Sequence, residues 1–232
     1  MMPFVFPARP TVDAAIVGTD LTFPVNRVYC VGRNYAAHAR EMGKDPDRDP
    51  PFFFLKAADA VMPDGSTLPY PPETSNYEYE VELVVAIGAE AFCLPAARAH
   101  EVIYGYAVGL DMTRRDLQLA ARDAGRPWDA GKNFPASAPM APIHPASAVG
   151  HLERGALRLA VNGEIKQQAD LAELFWDVGE IIEHLSRFYR LVPGDLIFTG
   201  TPAGVGPVRP GDKLVGTIDG LRPVTVTIGA PG

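Results

Sequence analysis

The chain has 232 residues, 47% of them hydrophobic, enough to bury a core as one large domain and unlike a disordered or fibrous protein. A formal charge of −7, with 21 Lys and Arg scattered and no basic run, argues against a nucleic-acid partner, and no apolar run reaches membrane-span length. Two cysteines, Cys30 and Cys93, give no disulfide framework, and Met1 to Phe6 lacks a signal-peptide pattern, so the expected setting is soluble and cytoplasmic, with no membrane partner.

Residues 1–22 read as a lead-in segment and residues 23–232 as the single main domain, with Gly and Pro spread among many short strands and turns. Arg27 to Val31 predicts a buried strand, Gly32-Arg33 a turn, and Asn34 the N-cap of a short helix through Tyr35 to Met42, stopped by Gly43. The charged, Pro-rich stretch Lys44 to Pro51 is expected to be an exposed loop, and Phe52 to Leu55 a buried strand that delivers Lys56 at its end. Tyr77 to Gly88 is rich in β-branched and aromatic residues, and its alternation puts Glu78, Glu80 and Glu82 on one face of a strand. Two readings stand for that face: a solvated edge strand, or carboxylates gathered around a hard divalent cation.

Tyr104 to Leu110 predicts another apolar strand, ending on Asp111, and Thr113 to Ala124 a helix closed by Gly125 and Pro127. Leu157 to Val161 and Glu164 to Gln168 flank Asn162-Gly163, the turn dipeptide of a two-residue hairpin. A helix is expected over Leu171 to Tyr189. Two Pro-Gly-Asp turns, at 193–195 and 210–212, precede Leu196 to Phe198 and Leu214 to Ile218, read as successive strands of one turn-rich sheet. The expected fold class is mixed, β-rich α+β with few short helices.

Three constellations could carry chemistry. His38 and Glu41 lie three apart on the predicted helix, where a carboxylate orients an imidazole and raises its basicity; an exposed ion pair is the plainer alternative. Glu80, Glu82 and Asp111 offer three oxygen ligands suited to Mg²⁺ or Mn²⁺ rather than Zn²⁺. Lys56 at a strand end, Arg115 four residues beyond Asp111 and Lys132 after Gly131 form a set of cations, with solvated surface charge the default for each, and Arg115 and Gln118 share one helix face beside Asp111. Thr199 to Gly206 is Gly-rich but matches neither a P-loop nor a dinucleotide fingerprint; a tight turn that brings backbone donors and the Thr201 hydroxyl to a small anion fits better.

In order, Val31-Gly32-Arg33-Asn34-Tyr35 with His38 and Glu41, Phe54-Leu55-Lys56, Tyr79-Glu80-Val81-Glu82-Leu83, Asp111-Met112-Thr113 with Arg115 and Gln118, Lys132, Val161-Asn162-Gly163-Glu164 and Thr199-Gly200-Thr201-Pro202 resemble the fumarylacetoacetate hydrolase family over roughly residues 25 to 220. The resemblance implies a β-roll particular to that family and a homodimer. It also implies Mg²⁺ or Mn²⁺ on Glu80, Glu82 and Asp111, a water-activating His38–Glu41 dyad on a lid, and Lys132 stabilising developing negative charge. Substrate contacts are expected from Arg33, Tyr35, Lys56, Arg115, Gln118 and Thr201, with Glu78 in a supporting or solvated role. Within the family the stretch from Asn26 to Phe54 most resembles the members that hydrolyse fumarylpyruvate to fumarate and pyruvate in gentisate breakdown. Ala57 departs from the Pro common in relatives, and Gln167 to Leu171 from their Thr- and Ser-containing version. The rival activities are decarboxylation of oxaloacetate and cleavage of another acylpyruvate; an isomerase and a catalytically silent binding module are the lesser alternatives.

Overall fold

The computed structural model describes residues 4–36, 41 and 50–231. His38, most of the expected Tyr35 to Met42 helix and the loop up to Asp49 lie outside the described residues. The strand Val81–Ile87 runs through the middle of an eight-stranded sheet, between Leu196–Phe198 on one side and Ile103–Leu110 on the other. Beyond Leu196–Phe198 the sheet continues through Val28–Gly32 to Phe52–Lys56 at one edge. Beyond Ile103–Leu110 it continues through Ala138–Met140 to Val61–Pro63. A five-stranded sheet, in the order Glu164–Asp170, Ala156–Val161, Lys213–Ile218, Val224–Pro231 and Thr67–Tyr70, lies against the first.

Alternation along Val81–Ile87 explains how the layers pack. Val81, Leu83, Val85 and Ile87 join Tyr106, Val108 and Leu110 in a core shared with Leu157, Leu159, Leu214 and Val226 of the five-stranded sheet. Val84 and Ala86 face the opposite way, into a second core with Val28, Cys30, Ala107 and Phe198. Glu82 belongs to that second face, so its carboxylate is at the end of an apolar layer. The acidic stretch therefore does not make a solvated edge strand. It also breaks into Tyr77–Tyr79 and Val81–Ile87, and at the break the Glu80 carbonyl accepts a hydrogen bond from Asp111 N at 2.8 Å.

Other expectations meet the structure in different ways. The Asn162-Gly163 hairpin forms, with both residues left-handed at φ 52° and 85°, as a primed turn requires. Phe52–Lys56 is half-buried rather than buried, because it is the last strand of its sheet; only Lys56 is wholly enclosed. Thr113 and Arg114 pair with Tyr77–Tyr79 as strand, and the helix starts at Arg115. Leu171 to Tyr189 is two elements, a turn of 3-10 helix at Leu171–Glu173 and an α-helix at Val178–Phe188, each opened by its own Asp–Glu capping box. The two strands after the Pro-Gly-Asp turns fall in different sheets, since Lys213–Ile218 pairs with Ala156–Val161 and Leu196–Phe198 with Val28–Gly32. In the lead-in, Asp13–Ala15 pairs with Thr22–Pro24.

Candidate active site

Three pieces of chain meet where the middle strands of the large sheet end. Glu80 is at the strand break, Glu82 begins the inward face, and Asp111 follows Ile103–Leu110 directly. Their ligand oxygens lie within 4.8 Å of one another, and the three residues are 5%, 1% and 0% exposed. Carboxylates this close and this dry repel one another unless cations compensate.

The described residues supply three buried cations. Lys132 Nζ donates to Glu80 Oε2 (2.7 Å), Asp111 Oδ2 (2.8 Å) and Thr113 Oγ1 (2.7 Å), the full capacity of an ammonium. Burial pulls the Lys132 pKa down, but the Asp111 and Glu80 charges outweigh it and hold the pKa above the ordinary lysine value. Arg115 donates through Nε to Glu78 Oε2 at 2.6 Å and through its terminal nitrogens to Glu80 and Gln118, and those carboxylates likewise outweigh its burial and raise its pKa. Lys56 Nζ sits 2.8 Å from Asp111 Oδ1, a charge contact without hydrogen-bond alignment, and donates to the Met112 and Lys132 carbonyls.

Four carboxylates, counting Glu78, thus meet three cations, and Glu82 is the one left over. Among the described residues Glu82 has no ion-pair partner; its hydrogen bond comes from Gly200 N, at 2.7 Å. Burial first, then the neighbouring charges of Asp111 and Glu80, push the Glu82 carboxyl well above the usual carboxylate range, against the Gly200 bond and the Lys132 charge. An all-oxygen donor set with one uncompensated negative charge fits a hard divalent cation.

The local backbone is shaped to hold these groups. Gly200 has φ 100°, and a Cβ there would come within 2.7 Å of Asn34 Cβ, so its N–H reaches Glu82 only because the residue is glycine. Asn34, expected as an N-cap, spends its side chain on Thr199 O, Trp176 O and Trp176 N. Gly131 lies against the helix Arg115–Asp123, where a Cβ would meet Gln118 N at 2.7 Å, and this close approach carries Lys132 in among the carboxylates.

The cleft above the carboxylates is lined by Arg33, Glu80, Glu82, Arg115, Gln118, Lys132 and Thr201 of the expected set. Tyr35 and Lys56 are not in that lining. Tyr35 is buried, bridges to Leu174, and its hydroxyl has no hydrogen-bond partner among the described residues; Lys56 lies beneath Asp111. Thr201 Oγ1 donates to Val81 O and accepts from Gln167 Nε2, so its hydroxyl braces the loop. Glu41 is exposed, and Gly204 N donates to its carboxylate at 3.2 Å. Glu78 is buried and held by Arg115 and Asn76, rather than solvated. Arg122 and Trp128 also line the cleft and were not among the residues expected there; Arg122, seven residues beyond Arg115, shares its helix face, a spacing visible in the sequence.

This fold is that of the fumarylacetoacetate hydrolases, and the chain belongs to that family: residues 27–229 match the family described as "Fumarylacetoacetate (FAA) hydrolase C-terminal". It is 50% identical over 190 residues to a fumarylpyruvate hydrolase from a Ralstonia species, covering 81% of this chain and 98% of that one. The crystal structure of fumarylpyruvate hydrolase from Pseudomonas aeruginosa in complex with Mn²⁺ and pyruvate superposes with a TM-score of 0.97 at 54% identity, covering 98% of this chain and 100% of that one. Oxaloacetate tautomerase YcgM of Escherichia coli (strain K12) is 39% identical over 204 residues, 88% of this chain and 93% of its own.

Proposed function

We propose that the protein is a metal-dependent hydrolase that cleaves the C–C bond of a 2,4-dioxo acid, with fumarylpyruvate and water giving fumarate and pyruvate. The observation that carries the reading is the buried Glu80–Glu82–Asp111 trio, which together with Glu78 carries one negative charge more than Lys56, Arg115 and Lys132 offset. The Ralstonia relative and the Mn²⁺- and pyruvate-bound neighbour support the substrate and the ion. Glu80, Glu82 and Asp111 would hold Mg²⁺ or Mn²⁺, and the ion supplies there a Lewis acid for the 1-carboxylate and 2-oxo oxygens and for the negative charge that builds on the pyruvate half.

The rest of the chemistry is assigned to the chain's own groups. His38, oriented by Glu41, takes a proton from water as the water oxygen adds to C4; Glu41, held at Gly204 N, is seated on the loop that carries Thr201. The C3–C4 bond then breaks, its electron pair passes to the pyruvate half, and the histidine's proton goes to C3. Lys132, kept protonated by Asp111 and Glu80, fixes a positive charge beside the reacting centre. Arg33, Arg115, Gln118 and Thr201 remain assigned to substrate, whereas Lys56 and Tyr35 are reassigned to support beneath the cleft. Cytoplasmic location, homodimeric assembly and a place in gentisate breakdown belong to the same proposal and rest on the family resemblance; among the described residues no helix is long and apolar enough to cross a membrane.

A second reading, oxaloacetate tautomerisation, is favoured by the 39% identity to the Escherichia coli tautomerase and needs only proton transfer at C3, with no attacking water. Purified protein with Mg²⁺ or Mn²⁺ is expected to convert fumarylpyruvate into equal amounts of fumarate and pyruvate, and chelation to abolish it. Undiminished turnover in a chelated sample overturns the metal role. Rapid keto–enol exchange of oxaloacetate without fumarylpyruvate cleavage overturns the hydrolase in favour of the second reading.

A further inference from the structure

The cleft that Glu80 and Glu82 line is also lined by Arg122 and Trp128. A seven-carbon diacid with its dioxo head at the carboxylates extends from them along that cleft. The inner cations are largely committed: Lys132 has used its three donors, and Arg115 gives Nε and one bond from each terminal nitrogen to Glu78, Gln118 and Glu80, which leaves two N–H groups for the substrate head. Two helical turns further out on the helix Arg115–Asp123, Arg122 lines the same cleft. Seven residues at 1.5 Å each place it about 10.5 Å from Arg115 along the axis and on the same face, a span of the same order as an extended seven-carbon diacid.

Arg122 is uncommitted. Its Nε donates to the exposed Asp123 at 2.9 Å, its terminal nitrogens have no partner among the described residues, and its side chain is 31% exposed. The same cleft has an aromatic side at Trp128. The Trp128 ring stands edge-on to Phe52 at 5.0 Å, and the Arg33 guanidinium lies 5.5 Å from Phe52 and 5.8 Å from Trp128. An aromatic wall suits a planar conjugated acid chain, and a guanidinium fork suits the carboxylate at its far end.

We infer that Arg122 binds the distal carboxylate of the substrate and so sets a preference for diacids over monoacids among the acylpyruvates, an inference that rests on the hydrolase reading above. The test compares kcat/KM on fumarylpyruvate with that on acetylpyruvate, which has the same dioxo acid head and no distal carboxylate, for the wild type, Arg122→Gln and Arg122→Lys at saturating Mg²⁺. Arg122→Gln is expected to lower kcat/KM for fumarylpyruvate by about 10- to 100-fold, as for a lost charge-assisted hydrogen bond, with a much smaller change on acetylpyruvate. Arg122→Lys is expected to fall between, because the charge stays and the fork is lost. Equal losses on both acids, no loss on fumarylpyruvate, or a wild type that handles both equally well overturns the inference. A wild type that cleaves neither acid removes the hydrolase reading and this inference with it, whereas cleavage with parallel losses removes the subsite alone.

Discussion

The two faces of the strand Val81–Ile87 solve opposite problems with the same backbone. On one face Val81, Leu83, Val85 and Ile87 are buried against apolar neighbours, and nothing there needs a partner. On the other, Val84 and Ala86 give way to Glu82, held by Gly200 N, with Glu80 and Asp111 beside it, each of which depends on a named charge. The apolar face gains from being close-packed, so its losses scale with volume removed. The charged face holds its carboxylates at a cost in desolvation that Lys132, Arg115 and Lys56 offset, so its losses scale with charge left uncompensated.

The largest effect is expected on the charged side. Asp111→Asn keeps the shape and removes the charge that faces both Lys56 and Lys132, two ammoniums that are almost completely buried. Without added metal it should lose about 3 to 5 kcal/mol, the usual cost of stranding a buried charge, in denaturant unfolding. Adding Lys132→Met should recover part of that loss, and strict additivity of the two substitutions would break the account of the cluster as one network. On the apolar side Leu83→Ala opens a cavity in the core between the sheets and should cost about 3 kcal/mol, with turnover per folded molecule nearly unchanged. A comparable fall in kcat would mean that the two faces are mechanically coupled.

How much of this was legible in the sequence follows from how local each feature is. The hairpin at Asn162-Gly163 and the carboxylate stripe of Glu80 and Glu82 needed only turn chemistry and period-two alternation. Asp111 was legible as a carboxylate at a strand end, but alternation alone could not put it beside Glu80, because that place depends on the pairing of Val81 with Leu110, about thirty residues away in sequence. Lys56 looked like a substrate contact at a strand end, yet the pairing of Lys56 with Val28 in an edge strand carries its ammonium under Asp111. Glu78 was legible as a neighbour of the ligands but not as the anchor of Arg115, which depends on a helix that starts two residues later than its sequence pattern suggests. The division of the last strands between two sheets was hidden for the same reason: both follow the same turn, and only long-range partners tell them apart.

The smallest effect tests the boundary between those local and long-range signals. The helix Val178–Phe188 is opened by Asp177, whose side chain accepts from Glu180 N at 2.8 Å while Asp177 N donates to Glu180 Oε2 at 3.2 Å. Asp177 is exposed and far in kind from the buried carboxylates: its charge is solvated, and its value lies in satisfying N–H groups that the helix cannot. Asp177→Ala should therefore cost about 1 kcal/mol, seen as a small drop in Tm, and Asp177→Ser should restore most of it because a hydroxyl caps as well. The neutral serine is the informative variant. If it fails to rescue, the carboxylate acts through its charge on the helix end, and the exposed acid would share more with the buried ones than its solvation suggests.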